Sequence, residues 1–158
     1  MKNIRKTEWA YLAGFLDGEG SFLIERAGYA RPTKSHPRGR VQLRPVIKAV
    51  NTDGEVIKWI TSLLERAKIK HYCRFYDRGK NKRTYIIEVR NFEEVLRLIA
   101  WVKPFLVIKS KAAGVVESYI CIRKEKQRKH KSAAYGEEEY ERYNSIKQRG
   151  YRFSLTSN

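Results

Sequence analysis

The chain has 158 residues, enough for one domain with its own core and too few for several. Lys and Arg number 34 against 17 Asp and Glu, a net charge of +17 that repels itself unless a polyanion is near and so points to nucleic acid. A hydrophobic content of 42% with patterned aromatics excludes a disordered basic tail, and no apolar run approaches the ~20 residues that span a bilayer.

The segment Met1–Thr7 leads directly into an apolar stretch without a signal-like hydrophobic run. An intracellular, non-secreted protein with no membrane partner is expected, in a prokaryotic cytoplasm or in an organelle that encodes it. The first helix is expected to start at Thr7 as N-cap and to end at Gly18-Glu-Gly20. Residues 21–26 alternate, with Phe22 and Ile24 on one face and Ser21, Leu23 and Glu25 on the other. Residues 27–39 form a turn-rich loop, long for a hairpin, and long loops are usually functional. Residues 40–50 alternate again, with Val41, Leu43 and Ile47 opposed to Gln42, Arg44 and Lys48, and Pro45 signals an edge or bulge. Thr52 or Asp53 then caps a helix carrying Val56, Ile57, Ile60, Leu63 and Leu64.

A third strand begins near His71, with Cys73 and Phe75 opposed to Arg74, Tyr76 and Arg78. A basic turn, 79–83, leads to a fourth strand over 84–90, and Asn91 caps a helix through Trp101. A further helix is expected over about 109–122. Residues 123–131 form a charge run without periodicity, read as a solvated segment or a nonspecific phosphate contact. Residues 137–149 form a last helix with acids first and bases last, as the macrodipole favours. Cys73 and Cys121 lack metal-ligand spacing and are expected as buried thiols. None of His36, His71 and His130 is assigned to catalysis. The fold class is α+β: one domain over 1–158, with an αββαββα core over about 5–122 in which helices back a curved antiparallel sheet. Residues 123–158 form a basic, helical extension.

Every strand is expected to have an apolar and a polar face. An antiparallel ribbon whose polar face carries Arg, Lys, Gln and Tyr at every second residue can enter the DNA major groove. There Arg and Lys match guanine, Gln matches adenine and a carboxylate accepts from cytosine. Glu25, Gln42, Arg44, Lys48, Arg74, Tyr76 and Arg78 are the candidates for base edges. Arg31, Lys34, Lys80, Lys82 and Arg83 lie in loops and suit phosphates.

The first helix carries Ala10, Leu12, Ala13, Gly14, Phe15 and Leu16 straight into Asp17 and Glu19. Carboxylates are unfavourable at a helix C-terminus, where orphan carbonyls and the negative end of the dipole lie, unless a cation joins them. A hard divalent ion such as Mg²⁺, or another such as Mn²⁺, reverses that sign, so the segment has the chemistry of half a metal site. Small residues on this helix (Ala10, Ala13, Gly14, Gly18), with Asp17, suit close contact with another helix. The motif occurs once, so its partner would be the same helix of a second copy, giving a C2 homodimer.

The run Tyr11-Leu-Ala-Gly-Phe-Leu-Asp-Gly-Glu-Gly-Ser-Phe22 resembles the namesake helix of the LAGLIDADG homing endonucleases and its exit into the first strand. Phe15-Leu16 replaces Leu-Ile, Gly18 replaces Ala, and Glu19 stands where the family often has Asp. The segment Val102-Lys-Pro-Phe-Leu-Val-Ile-Lys-Ser-Lys-Ala-Ala113 is similar to the one that carries the family's lysine.

The resemblance implies a site-specific homing endonuclease. It would be a homodimer that hydrolyses both strands of a long, roughly palindromic duplex and serves intron homing. On that basis Glu19 and the Gly18 carbonyl would hold the metal, Lys109 would act at the scissile phosphate, and Asn51 would organise water. Lys111 would be a further contact to DNA. The alternatives are an intron RNA maturase, with intron RNA as partner, and a non-cutting DNA-binding protein on the same fold.

Overall fold

The computed structural model describes residues 4–27, 42–77, 83–129 and 134–153, the last segment with side chains through Ile146. The elements are α1 (Lys6–Glu19), β1 (Gly20–Ala27), β2 (Gln42–Asn51), α2 (Gly54–Arg66), β3 (Tyr72–Tyr76), β4 (Thr84–Val89), α3 (Phe92–Val102), α4 (Ser110–Lys129) and α5 (Glu137–Phe153), with a 3-10 turn at Lys103–Phe105 between α3 and α4. The αββαββα order is the one expected from the sequence.

Local chemistry sets the helix ends. α1 is capped at Arg5, not at Thr7: the Glu8 carboxylate reaches back to accept the Arg5 N–H at 3.0 Å, so an acid inside the first turn satisfies the free donor that a Thr hydroxyl was expected to answer. Asp53 caps α2 by accepting from Glu55 N at 2.8 Å, and Asn91 caps α3 by accepting from Glu93 N at 3.0 Å.

α4 runs past the expected 122 to Lys129 and takes up most of the charge run. Its inward stripe, Ala113, Val116, Tyr119, Ile120, continues in the polar residues Arg123 and Lys126, so a search for hydrophobic period stops too soon. Glu139 of α5, fully buried, accepts from Arg123 Nη1 at 3.3 Å, Lys126 Nζ at 3.0 Å and Gly136 N at 2.7 Å. The start of α5 is thereby packed onto α4, while Lys124, Glu125, Gln127, Arg128 and Lys129 of the charge run stay exposed.

The sheet order is β1-β2-β4-β3, antiparallel throughout. Gly20 faces Ala49, Ile47 faces Val89 and Cys73 faces Ile87. Pro45 lies opposite Ile24 of β1, and the β2–β4 ladder starts only at Ile47, so the missing N–H falls where β2 has one neighbour. Phe22, Ile24, Leu43, Ile47, Ala49, Ile87 and Val89 form the face that packs on the helices.

Two expectations fail at β3 and on the outer face. β3 is an edge strand with every residue exposed, so Cys73 and Phe75 are not buried, and Cys121 is exposed on α4. The outer face is not purely polar, because Val46 and Ile86 are buried there, outside the main core.

α1 departs from the other core helices. Trp9, Leu12, Ala13 and Leu16 enter the core, yet Tyr11, Gly14 and Gly18 are exposed on the outer side. A Cβ built on Gly14 or Gly18 meets nothing within 4 Å, so the chain's own packing does not require glycine at either position. Gly20 is different: a Cβ there falls 2.7 Å from the Leu16 carbonyl oxygen, and only glycine lets the chain turn from α1 into β1.

Candidate active site and nucleic-acid face

The tip of α1 is built from two segments far apart in sequence. The Asp17 carboxylate accepts from Val107 N at 2.7 Å and from Lys109 N at 2.9 Å, which fixes the strip between the 3-10 turn and α4 against the helix end. Burial pushes the Asp17 carboxyl up, but the N–H groups of Val107, Lys109 and Ile108 and the Lys109 charge outweigh it and hold the group below the ordinary carboxylate range.

Lys109 then turns its ammonium into the carbonyls where α1 passes into β1, 3.0 Å from Leu16 O, 3.3 Å from Gly18 O and 2.5 Å from Gly20 O. A cation at this place complements the negative end of the helix dipole. Burial lowers the Lys109 pKa, while the charges of Asp17 and Glu19 work in the opposite direction. The Glu19 side chain is exposed and makes no hydrogen bond or ion pair with another described residue.

Asp17, Gly18, Glu19 and Lys109 therefore come together. Asn51 ends β2, two residues beyond the Ala49 that faces Gly20, which puts it at the same end of the sheet. Its side-chain oxygen accepts from Asp53 N at 2.8 Å and so shapes the turn into α2. Lys111 is exposed in the first turn of α4.

Among the described residues no three His, Cys, Asp or Glu side chains converge. The tip offers one carboxylate and one carbonyl, both hard oxygen donors. That set fits an ion which keeps most of its water and takes further ligands from a phosphate or a second chain.

Of the residues expected to meet a partner helix, Ala13 is wrongly placed. It is 0% exposed inside the chain's own core, because α1 needs a small residue there to approach the sheet and helices behind it. Ala10 is half-buried, Asp17 is engaged with Val107 and Lys109, and Gly14 and Gly18 face outward. Apolar side chains ring that outward side: Val107 is 85% exposed, Ile108 70% and Tyr11 56%. Pattern reading missed Val107 and Ile108, since an apolar pair beside a proline segment looks like core.

The outer face of the sheet gathers six of the other candidates, Glu25, Gln42, Arg44, Lys48, Arg74 and Tyr76. By register Glu25 faces Arg44, Lys48 faces Glu88, and Arg74 and Tyr76 continue the row on β3. Arg44 donates to the Gln42 side chain at 2.6 Å, and the Arg74 guanidinium lies 5.7 Å from the centre of the Tyr76 ring. Arg83 pairs with Asp77 at 3.0 Å and lies 4.4 Å from the centre of Phe75, so it is engaged along the edge strand. Its hydrogen bond to Asp77 raises its pKa. Arg31, Lys34, Arg78, Lys80 and Lys82 lie outside the described residues. Glu88 was not singled out from the sequence, because a lone acid on an alternating strand carries no signal of its own.

Comparison with known proteins agrees with this architecture. The fold is similar to the archaeal intron-encoded homing endonuclease I-Vdi141I complexed with DNA, at 19% identity over 96% of this chain and 87% of that one, with a TM-score of 0.60. It is also similar to the homing endonuclease I-CvuI in two complexes. One is with the I-CreI target in the presence of 2 mM Mg, the DNA not cleaved (17% identity, 73% of this chain, 67% of that one, TM-score 0.57). The other is with its own target in the presence of 2 mM Ca (14% identity, 78% and 73%, TM-score 0.60). A search of the curated proteins finds no match. Among the described residues no helix is long and apolar enough to cross a membrane. The model of the LAGLIDADG endonuclease family matches residues 12–122, from the first leucine of the α1 motif into α4, and the chain belongs to that family.

Proposed function

We propose that the protein is a site-specific homing endonuclease that acts as a homodimer and breaks both strands of a roughly palindromic DNA duplex. The observation that carries this reading is the α1 tip, where the exposed Glu19 carboxylate and the Gly18 carbonyl lie beside the Lys109 ammonium. Glu19 and Gly18 would hold Mg²⁺, which when bound supplies a Lewis acid and a more acidic water for phosphodiester hydrolysis. In that reaction a P–O bond to water forms as one ester P–O bond breaks.

Asp17 holds the 107–109 strip so that Lys109 stays at the tip. Lys109 keeps positive charge where negative charge grows on the phosphate. Asn51, at the same end of the sheet, holds water. The outer face carries Glu25, Gln42, Arg44, Lys48, Arg74 and Tyr76 to the major groove.

The dimer reading draws support from a helix with apolar or small residues on both sides. A helix apolar all round is normally buried, and α1 has protein on only one side in a single chain. Two copies packed through Gly14 and Gly18, rimmed by Tyr11, Val107 and Ile108, would cover the rest. They would also bring two Glu19 side chains near one axis.

The test is digestion of a library of randomised duplexes by the full chain with Mg²⁺, followed by sequencing of the cut ends. The expected result is a shared, roughly symmetric site, with cutting lost in Glu19→Gln while binding to the selected site persists. Sequence-selective binding with no cutting in Mg²⁺ or Mn²⁺ would replace this reading with a non-cutting DNA-binding protein. Normal cutting by Glu19→Gln would remove Glu19 from the site.

A further inference from the structure

We propose that Glu88 is a positioning residue: one buried carboxylate fixes three cationic side chains on the outer face of the sheet and thereby sets how well the protein discriminates between DNA sequences. This rests on the reading of that face as the surface that meets DNA. Glu88 sits on β4 between Ile87 and Val89, both in the core, so its own side chain points outward. An outward acid is ordinarily solvated, yet Glu88 is 2% exposed.

Its Oε1 accepts from Arg74 Nη2 at 2.7 Å and lies 3.8 Å from Lys48 Nζ, and its Oε2 accepts from Arg90 Nη2. The three cations come from β3, from β2 and from the residue after β4. Ile86 and Val46, buried on the same face, exclude water from its surroundings and strengthen these contacts. Arg90 even leaves its Nε buried without an acceptor among the described residues while Nη2 is held on Glu88.

Three cations and one anion leave the patch with net positive charge, so attraction to a duplex survives the pairing. What the carboxylate removes is freedom. A long cationic side chain that swings can follow any phosphate, and phosphate contacts carry no sequence information. A guanidinium held from behind keeps its remaining donors aimed one way, as bidentate contact to a base edge requires. The arrangement gives up some charge and obtains fixed geometry.

The experiment measures binding of the full chain, in Ca²⁺ and across a salt series, to a pool of randomised duplexes and to one unselected duplex. Glu88→Gln keeps the shape and removes the charge. Its expected effects are a drop of tenfold or more in preference for the selected site over the unselected duplex, unchanged or tighter binding to the unselected one, and a salt dependence steeper by about one counterion.

A second variant leaves Glu88 in place. Arg74→Met alters an exposed side chain and frees Oε1 to draw Lys48, so it should blur preference at the base pairs met by Lys48 as well as at its own. If Glu88→Gln fails to fold, Arg74→Met decides. Equal weakening on both duplexes, unchanged preference in Glu88→Gln, or loss at a single base pair in Arg74→Met would each overturn the proposal. A wild-type chain that shows no preference among duplexes would overturn the DNA reading itself, and this inference with it.

Discussion

The tip of α1 and the outer face of the sheet are electrostatic opposites. At the tip, carboxylates and backbone carbonyls make a negative place, and one cation, Lys109, is set into it with three carbonyl contacts. On the sheet, arginines and lysines make a positive place, and one buried anion, Glu88, is set into it with three cationic contacts. On the sheet the minority charge is buried and orders the majority around it; at the tip a majority carboxylate, Asp17, holds the backbone that carries the cation. The difference lies in what remains outside: an oxygen-rich tip suited to a metal and a nitrogen-rich face suited to a polyanion. A protein that must bring both to one duplex needs them on rigid elements, and α1 runs without a break into β1.

Emptying one of the two settings probes this opposition most severely. Lys109→Ala removes the cation at the tip and should slow cleavage about 10²–10³-fold, as loss of one oriented electrostatic contact does, with far less change in binding. Rates under single-turnover conditions beside equilibrium binding decide it, and equal losses in both would reduce Lys109 to a phosphate anchor.

Gly14→Leu tests whether the tips meet in pairs. A Cβ at this exposed position meets nothing within 4 Å, and leucine is a better helix former than glycine by up to about 1 kcal/mol. The expected outcome is a folded monomer in sedimentation and loss of double-strand cutting, and an unchanged mass would show that this face is not the contact. On the sheet, Arg44→Ala should cost ~1–3 kcal/mol at particular base pairs in a selection experiment, whereas uniform weakening would make Arg44 a backbone contact.

The two regions also differed in how far the sequence disclosed them. The tip was legible because its chemistry is contiguous: Asp17, Gly18 and Glu19 stand beside one another, and only Lys109 had to be brought from elsewhere. The alternation of β1 and β2 disclosed the outer row from Glu25 to Lys48, and the registers place these residues on one side. Glu88 stayed hidden because its meaning comes from three partners on other strands and turns, and pairing across strands is not written in local period. The same holds for α4, whose inward stripe passes from Ile120 to Arg123 and Lys126. There a buried Glu139 from the next helix takes the place of apolar packing. Ala13 shows the reverse error: small residues suit close approach, but the pattern does not say whether the neighbour is the chain's own core or another chain.

The smallest effect is also the control. Glu8, at the other end of α1 from Glu19, is a carboxylate with a purely structural role, since it accepts the Arg5 N–H and bonds the Arg66 guanidinium of α2. The Arg66 hydrogen bond, first among the causes, and the Arg5 N–H hold its carboxyl below the ordinary value of 4.5. A depressed folded pKa means stabilisation that is present above the unfolded value and fades as pH falls through the folded one. Glu8→Gln should therefore lower the melting temperature slightly at neutral pH, and the gap from wild type should close as pH drops below about 4.5. Cutting should be untouched at neutral pH, in contrast to Glu19→Gln. A loss of cutting without a loss of stability would mean that the two ends of α1 are coupled, and that the tip depends on how the far end of the helix is held.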